Sequence, residues 1–364
     1  MKSNQTSGTL LSTLLQSNGG APLIIGGPCS AETEEQVLET ARRIKASGKV
    51  QVYRSGIWKP RTRPNSFEGV GTDGLRWLQQ VKEMTGMPVA TEVANVRHVA
   101  EALEFGIDIL WIGARTSVNP FSVQEIADAL AGTDVTVMVK NPINPDLALW
   151  IGAIERLAKA GIKDLGAIHR GFSTDSKMAY RNAPKWKIAM NFRKEMPEIP
   201  MVCDPSHIAG RRDVLQEISQ KALDLGMHGL MIESHINPDA AWSDAKQQIT
   251  PEVLASLISS LDLKKNGIFA SGLHSPEEEL LDELRSEMDN LDHELLELLS
   301  NRAKVSGKLG AFAPQGQLQG VHNERDKVLM GNLVRKALAE GLEENFIQSI
   351  FAVLNEYSVK GQEA

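Results

Sequence analysis

The chain reads as an α/β protein, a (β/α)8 barrel followed by a smaller all-α helical domain. Three observations predict this. Eight short apolar runs of strand character recur along the first two thirds of the 364 residues, segments of helical periodicity lie between them, and no strand pattern returns in the remainder. Strand, helix, strand at intervals of roughly 20 to 40 residues implies parallel strands joined by right-handed crossovers. Eight such units favour a closed barrel over an open doubly wound sheet.

The first run, PLIIGGPC, opens at Pro22, so little is expected to precede the barrel. The helical segment AETEEQVLETARRIKASG follows and stops at Ser47-Gly48, since glycine takes the left-handed turn that ends a helix. VQVYRSG, PVATEV and ILWIGAR are the next strands, and the helical FSVQEIADALAG separates ILWIGAR from VTVMVKNP. LALWIGAIERLAKAG leads to LGAIHRG, and MVCDPSH, the helical GRRDVLQEISQKALDLG and GLMIESH complete the eight units. The barrel domain is expected over 1–265 and a Gly/Ser-containing linker over 266–276. Ser275-Pro276-Glu277-Glu278 then starts a helix, with serine as N-cap, proline at the first position and acidic residues at the positive end of the dipole. Leu284, Met288, Leu291, Leu295 and Leu298 recur in steps of four and three, so 277–364 reads as an all-α domain of about three helices.

Composition narrows the function classes. A hydrophobic fraction of 42% and a charged fraction of 23% are those of an ordinary soluble globular protein. The net charge of −7 argues against nucleic acid or an anionic membrane as the main partner. No stretch approaches the ~20 apolar residues of a membrane span. Cys29 and Cys203 cannot form a disulfide framework, and the N-terminal segment lacks a signal-peptide pattern, so a cytoplasmic protein is expected.

The strand runs end on chemistry. Cys29, Arg54, Lys59, Glu92, Arg115, Lys140, Arg170, Asp204, His207 and Glu233 stand at or just beyond their C-terminal ends, where a barrel builds its active site. Cys29 follows the sharp Gly26-Gly27-Pro28, and Asp244 lies eleven residues after Glu233. Cys29, His207, Glu233 and Asp244 make a mixed-ligand set for a divalent transition metal such as Mn, Fe, Co or Zn. His235 competes with His207, but strand alternation points it away from Glu233. The segment KPRTRP adds Lys59, Arg61, Arg63 and the Thr62 hydroxyl in a loop stiffened by two prolines. So many cations on one face repel unless multivalent anions join them, which implies phosphorylated or carboxylated substrates.

On the helical domain Arg285 and Arg302 are seventeen residues apart, which at 100° per residue returns them to nearly one face about 25 Å apart along the axis. Arg302 continues the apolar seam and is expected to point inward toward an anionic partner. In an antiparallel dimer Arg285 of one chain approaches Arg302 of the partner subunit. Ser358 and Gln362 share a face near the end.

GGPCS, KPRTRP, IGART, VKNP, HRGFS, DPSH with GRR, and IESH followed by SDAKQQ, spread over residues 20–262, resemble the 3-deoxy-D-arabino-heptulosonate 7-phosphate (DAHP) synthases of type Iβ. The resemblance implies condensation of phosphoenolpyruvate with erythrose 4-phosphate, the first step of the shikimate pathway. It places the metal, Mn2+ or another transition metal, on Cys29, His207, Glu233 and Asp244. It places phosphoenolpyruvate on Arg54, Lys59, Arg115, Lys140 and Arg170, and erythrose 4-phosphate on Arg61 and Thr62 with Asp204 near the aldehyde. Lys59 is then positioned to deliver the proton to the new hydroxyl. The 3-deoxy-manno-octulosonate 8-phosphate synthases share the barrel and the first substrate, but normally carry Lys-Ala-Asn-Arg-Ser where this chain has KPRTRP.

LRSEMDNLDHELLELLSNRAKVSGKLG, NERD and EYSVKGQ resemble an AroQ-type chorismate mutase. That resemblance implies conversion of chorismate to prephenate without a cofactor, with Arg285 (reaching the partner's site), Arg302, Glu324, Ser358 and Gln362 as catalytic residues. One position departs from the family: its lysine, about eleven residues after the second arginine, falls on Ala313. Two expectations follow: a second enzyme on the same chain, or a weak or inactive mutase kept as a chorismate- or prephenate-binding regulatory and dimerisation module. Either implies at least a homodimer, and ligand binding there is expected to regulate the barrel.

Overall fold

The computed structural model describes residues 8–59, 67–173, 180–263, 298–308 and 319–360 with isolated positions from 288 to 296, the side chains of 319–327 and 358–360 excepted. The chain divides into two compact units, Met1–Ser275 and Pro276–Ala364.

The first unit is a closed parallel barrel in strand order β1 to β8: Leu23–Gly27, Val52–Arg54, Val89–Val93, Ile109–Ile112, Thr136–Lys140, Leu165–His169, Met201–Cys203 and Gly229–Glu233. β1 closes the ring on β8, with Ile25 opposite Met231 and Gly27 opposite Glu233. Side chains alternate across each strand, and the two faces have different company. Ile25, Val52, Ala90, Ile109, Trp111, Met138, Ile168, Val202 and Met231 fill the barrel interior. Residues of the other parity, among them Ile24, Tyr53, Leu110, Val139, Ala167 and Ile232, pack outward with the helices.

That parity positions the site. Two residues on from an interior position, the chain again faces the barrel axis, now at its C-terminal mouth. Val52 is followed by Arg54, Met138 by Lys140, Ile168 by Arg170, Val202 by Asp204 and Met231 by Glu233. Every one of these polar residues is buried.

The outer layer consists of α2 (Glu34–Ser47), α3 (Thr72–Thr85), α4 (Val96–Glu104), α5 (Pro120–Leu130), α6 (Leu147–Lys159), α7 (Trp186–Glu195), α9 (Leu215–Asp224) and α10 (Pro251–Ser260). Local chemistry sets their ends. Thr33 caps α2, whose last turn closes on Gly48 at φ 65°. Asp204 caps the short α8 (Pro205–Ala209) by accepting the His207 N–H, so one carboxylate both ends β7 and orients His207.

The structure corrects one expectation at the start of the barrel. A helix, α1 (Leu10–Ser17), precedes Pro22 and closes the N-terminal end of the barrel. Leu11 is fully buried beneath the interior residues, with Leu10, Leu14 and Leu15 packed beside it. The Leu11 N–H donates to Asp164 Oδ2 at 3.0 Å, just ahead of β6.

In the second unit, helices Gln319–Ala339 and Glu344–Lys360 form a hairpin around Gly341, which takes φ 81°. Val334, Ala337 and Ile347 form its buried centre, with Met330 and Phe351 against them. Among the described residues no helix is long and apolar enough to cross a membrane.

Leu11→Ala removes the plug under the barrel and leaves a cavity among large side chains. We expect a loss of about 2–5 kcal/mol in barrel stability, read from the shift of the urea unfolding midpoint.

Candidate active site and metal centre

Polar side chains at or just beyond the strand ends meet at the C-terminal mouth, and they sort by partner. Cys29 Sγ and the carboxylates of Glu233 and Asp244 each offer a ligand atom within 4.8 Å of the other two. Cys29 Sγ lies 3.5 Å from Asp244 Oδ2, and Lys59 Nζ lies 3.1 Å from the same sulfur. His207 borders this group. Its Nδ1 stands 3.7 Å from Glu233 Oε1 but only 2.8 Å from Asp204 Oδ2, so the capping carboxylate draws the ring toward itself. Asp244 sits at φ 48°, a left-handed conformation uncommon for a non-glycine residue, and Arg181 holds its Oδ1 at 2.9 Å.

The electrostatics suit a cation. Burial, then the adjacent Glu233 carboxylate, pushes the Cys29 thiol up to about 12 against the opposing pull of Lys59. Burial also works to raise the Glu233 and Asp244 carboxyls, but neighbouring positive groups prevail and hold both below the usual range. His207, in the protonated form it takes at low pH, and Arg54 do so for Glu233; His207 in that form, Arg181 and Lys59 do so for Asp244. One thiol, two ionised carboxylates and an adjacent imidazole are a donor set for a divalent transition metal. Gln247 supports it from behind, donating to Glu233 Oε2 at 2.7 Å, as Gln248 accepts the Cys29 N–H at 2.9 Å.

The cations occupy the other part of the mouth. Arg54 is 1% exposed; its Nη1 meets Glu233 Oε1 at 3.1 Å and its Nη2 donates to Cys29 O at 3.0 Å. Lys140 Nζ meets Asp204 Oδ2 at 2.8 Å. The Arg54 guanidinium lies 4.8 Å, and the Lys140 ammonium 5.7 Å, from the centre of the Trp111 ring. Trp111 in turn donates its Nε1–H to Glu92 Oε2 at 3.0 Å. The Glu92 carboxylate fills the space where a side chain at residue 113 would begin, since a Cβ on Gly113 would fall 2.1 Å from Glu92 Oε1. Buried Arg170 donates to Asn182 Oδ1 at 2.8 Å and to Gly171 O at 3.3 Å, both neutral acceptors. Burial foremost, with Arg181 and Arg115 adding to it against Asp204, brings its pKa down to about 10. Arg115 stands exposed on the rim.

The mouth therefore gathers Cys29, Arg54, Lys59, Lys140, Arg170, Asp204, His207, Glu233 and Asp244. Arg61 and Thr62 lie outside the described residues. His235 is turned out of the ligand group: its Nε2 faces Glu32 Oε2 at 3.3 Å. Reasoning from the sequence missed Trp111, Arg181 and the two glutamines. The glutamines carried a signal in standing three and four residues after Asp244; Trp111 carried one in standing on interior parity two residues before a glycine. In the second unit Arg302 donates to Leu354 O at 2.8 Å and to Asn355 Oδ1 at 2.7 Å, one helical turn before Ser358. Glu324 and Ser358 lie on the helices Gln319–Ala339 and Glu344–Lys360, with side chains outside the described set, as are Arg285, Ala313 and Gln362.

Barrel, ligand set and buried cations define a class, the metal-dependent barrel enzymes of anionic substrates. Comparison with known proteins gives the family. Residues 5–266 match the DAHP synthetase I family, and residues 284–363 match chorismate mutase type II. The chain belongs to the DAHP synthetase I family. It is 34% identical over 238 residues to the phospho-2-dehydro-3-deoxyheptonate aldolase of Thermotoga maritima, covering 65% of this chain and 68% of the relative. The crystal structure of the Thermotoga maritima DAHP synthase superposes with a TM-score of 0.60 at 32% identity, over 68% of this chain and 69% of that one. The 2-dehydro-3-deoxyphosphooctonate aldolase of Caulobacter vibrioides is more distant, 27% identical over 67% of this chain and 88% of its own.

A metal held by Cys29 would take it as thiolate, whereas the thiol, pushed up to about 12, is protonated at neutral pH. Binding must then expel its proton. Glu233 and Asp244 are already ionised there, and His207, lowered by burial against the pull of Asp204, is neutral above its ordinary 6.5. Co2+ affinity is therefore expected to rise about tenfold per pH unit between roughly pH 7 and 8.5. Titrations at several pH values check this, and Cys29→Ala should flatten the dependence.

Proposed function

We propose that the barrel condenses phosphoenolpyruvate with erythrose 4-phosphate to DAHP and phosphate, and that the helical unit converts chorismate to prephenate, both in the cytoplasm. The observation that carries the first activity is the sorting at the mouth: buried cations on one side, a thiol–carboxylate ligand set on the other, and Lys59 between them. Two buried reduced cysteines support the location.

Arg54, Lys59, Lys140 and Arg170, with Arg115 at the rim, bind the phosphate and carboxylate of phosphoenolpyruvate. Arginine supplies two-point forks and lysine a point charge. Erythrose 4-phosphate is held by Arg61 and Thr62, with its aldehyde toward Asp204. Cys29, His207, Glu233 and Asp244 would hold a divalent ion, Mn2+ or another transition metal, which would supply Lewis acidity to the aldehyde. C3 of phosphoenolpyruvate forms the new carbon–carbon bond at the aldehyde carbon, and Lys59 delivers the proton to the oxygen that becomes the hydroxyl. Water adds at C2 with loss of one proton, which restores the proton Lys59 gave up; the C2 hydroxyl then becomes the ketone as phosphate leaves with the electrons of its bond to C2 and takes up the remaining proton.

For the mutase, positioned cations and hydrogen-bond donors suffice, because the rearrangement makes and breaks its bonds within one molecule. Arg302 supports this role: its guanidinium reaches the backbone one turn from Ser358. A second copy of the chain supplies Arg285 and covers the seam of Met288, Leu291, Leu295 and Leu298, each more than half exposed in the single chain. Filling the mutase site with chorismate or prephenate shifts how that dimer packs and so regulates the barrel.

Lys59→Met should lower kcat for phosphate release by on the order of 10²–10⁴ and raise the KM for phosphoenolpyruvate as well; unchanged turnover removes the assigned role. The full-length protein should consume chorismate faster than the uncatalysed reaction, and Arg302→Ala should slow it by about 10²–10³. Ala313→Lys should raise the rate, and a rate equal to the uncatalysed one leaves the unit as a binding module.

A further inference from the structure

Outside the ligand group, a buried carboxylate ties together the two segments that carry Cys29 and Asp244. Glu32, three residues beyond Cys29, is 6% exposed. Its Oε1 accepts the Trp242 N–H at 2.7 Å, and its Oε2 lies 3.3 Å from His235 Nε2. His235 Nδ1 accepts the Asn237 N–H at 2.9 Å, which leaves the ring proton on Nε2, aimed at Glu32. The Glu32 N–H donates to Gln36 Oε1 at 3.1 Å, so the backbone that carries the carboxylate is itself fixed to the first turn of α2. One residue therefore grips the loop after β8 at two points, 235 and 242, on either side of Asn237 and just short of Asp244.

Two further contacts run parallel to it. The Ser30 and Ser243 hydroxyls meet, and Gln248 donates to Ser243 O at 2.8 Å while accepting the Cys29 N–H. Trp242 also packs edge-on against Phe67, with ring centres 5.1 Å apart. Between these anchors Asp244 takes its left-handed φ of 48°, a conformation that persists only where the surroundings hold it. We propose that Glu32 is a positioning residue for the metal centre: through His235 and the Trp242 N–H it holds the loop after β8, and with it Asp244, facing Cys29. The proposal rests on the reading of Cys29, Glu233 and Asp244 as metal ligands. Groups that orient ligands in this way typically govern affinity by 10- to 100-fold.

The test is Co2+ binding to the full-length protein, followed by calorimetry and by the thiolate-to-cobalt absorption band, with phosphoenolpyruvate affinity measured alongside. Glu32→Ala removes both grips. Glu32→Asp keeps the charge and the fold but withdraws the carboxylate from both partners. Both variants should bind Co2+ at least about tenfold more weakly, with a diminished band and wild-type affinity for phosphoenolpyruvate. Should the alanine variant not fold, the aspartate variant decides alone. Wild-type Co2+ affinity in Glu32→Asp overturns the proposal, because charge alone would then suffice, and so does an equal weakening of both ligands, which marks general damage. A wild-type protein without the thiolate band instead refutes the metal-centre reading beneath it.

Discussion

Burying a guanidinium and an ammonium beneath a barrel mouth is costly unless each finds a carboxylate, and the Arg54–Glu233 and Lys140–Asp204 pairs meet that requirement. All four groups are at most 5% exposed. Removing one partner of such a pair leaves an uncompensated charge, a loss of about 3–5 kcal/mol. Each carboxylate has a second duty: Glu233 stands in the ligand group with Cys29, and Asp204 caps α8 and draws in His207. The site is therefore one connected charge network. Arg170, bonded to neutral acceptors, keeps a charge that an incoming anion can use.

The barrel explains why these groups meet. Interior parity carries each strand from an apolar residue in the core to a polar one at the mouth, so the same alternation that builds the core delivers the site. Trp111 lies at the boundary between the two. It belongs to the interior cluster below and underlies the two cations above, and Glu92 fixes its indole. At the opposite end α1 fills the barrel with leucines, so chemistry and closure are kept apart along one axis.

Much of this was legible in the sequence. The eight strands and the polar residues at their ends are local features, visible because strand period and composition coincide. What escaped were relations between distant segments. Arg54 and Glu233 read as members of separate sets, yet 179 residues apart in sequence they are ion-paired, because β1 lies between β2 and β8 in the closed ring. His207 reads as a ligand like the others, but Asp204 competes for its nitrogen, a balance set by fractions of an ångström. α1 is too short to announce itself by periodicity. Strand alternation did set His235 apart from Glu233, and Glu32 is the partner it turns to. Arg61, Thr62, Arg285 and Gln362 rest on motif resemblance, as do the roles given to Glu324 and Ser358, whose backbone alone is described.

If the ligand group and the buried cations serve a single site, the metal and phosphoenolpyruvate are held side by side. The most direct measurement is the phosphorus NMR resonance of bound phosphoenolpyruvate in the presence of Mn2+. One shared site predicts strong paramagnetic broadening that Cys29→Ala removes without releasing phosphoenolpyruvate. A bound resonance unaffected by Mn2+, or broadening indifferent to Cys29, would contradict it.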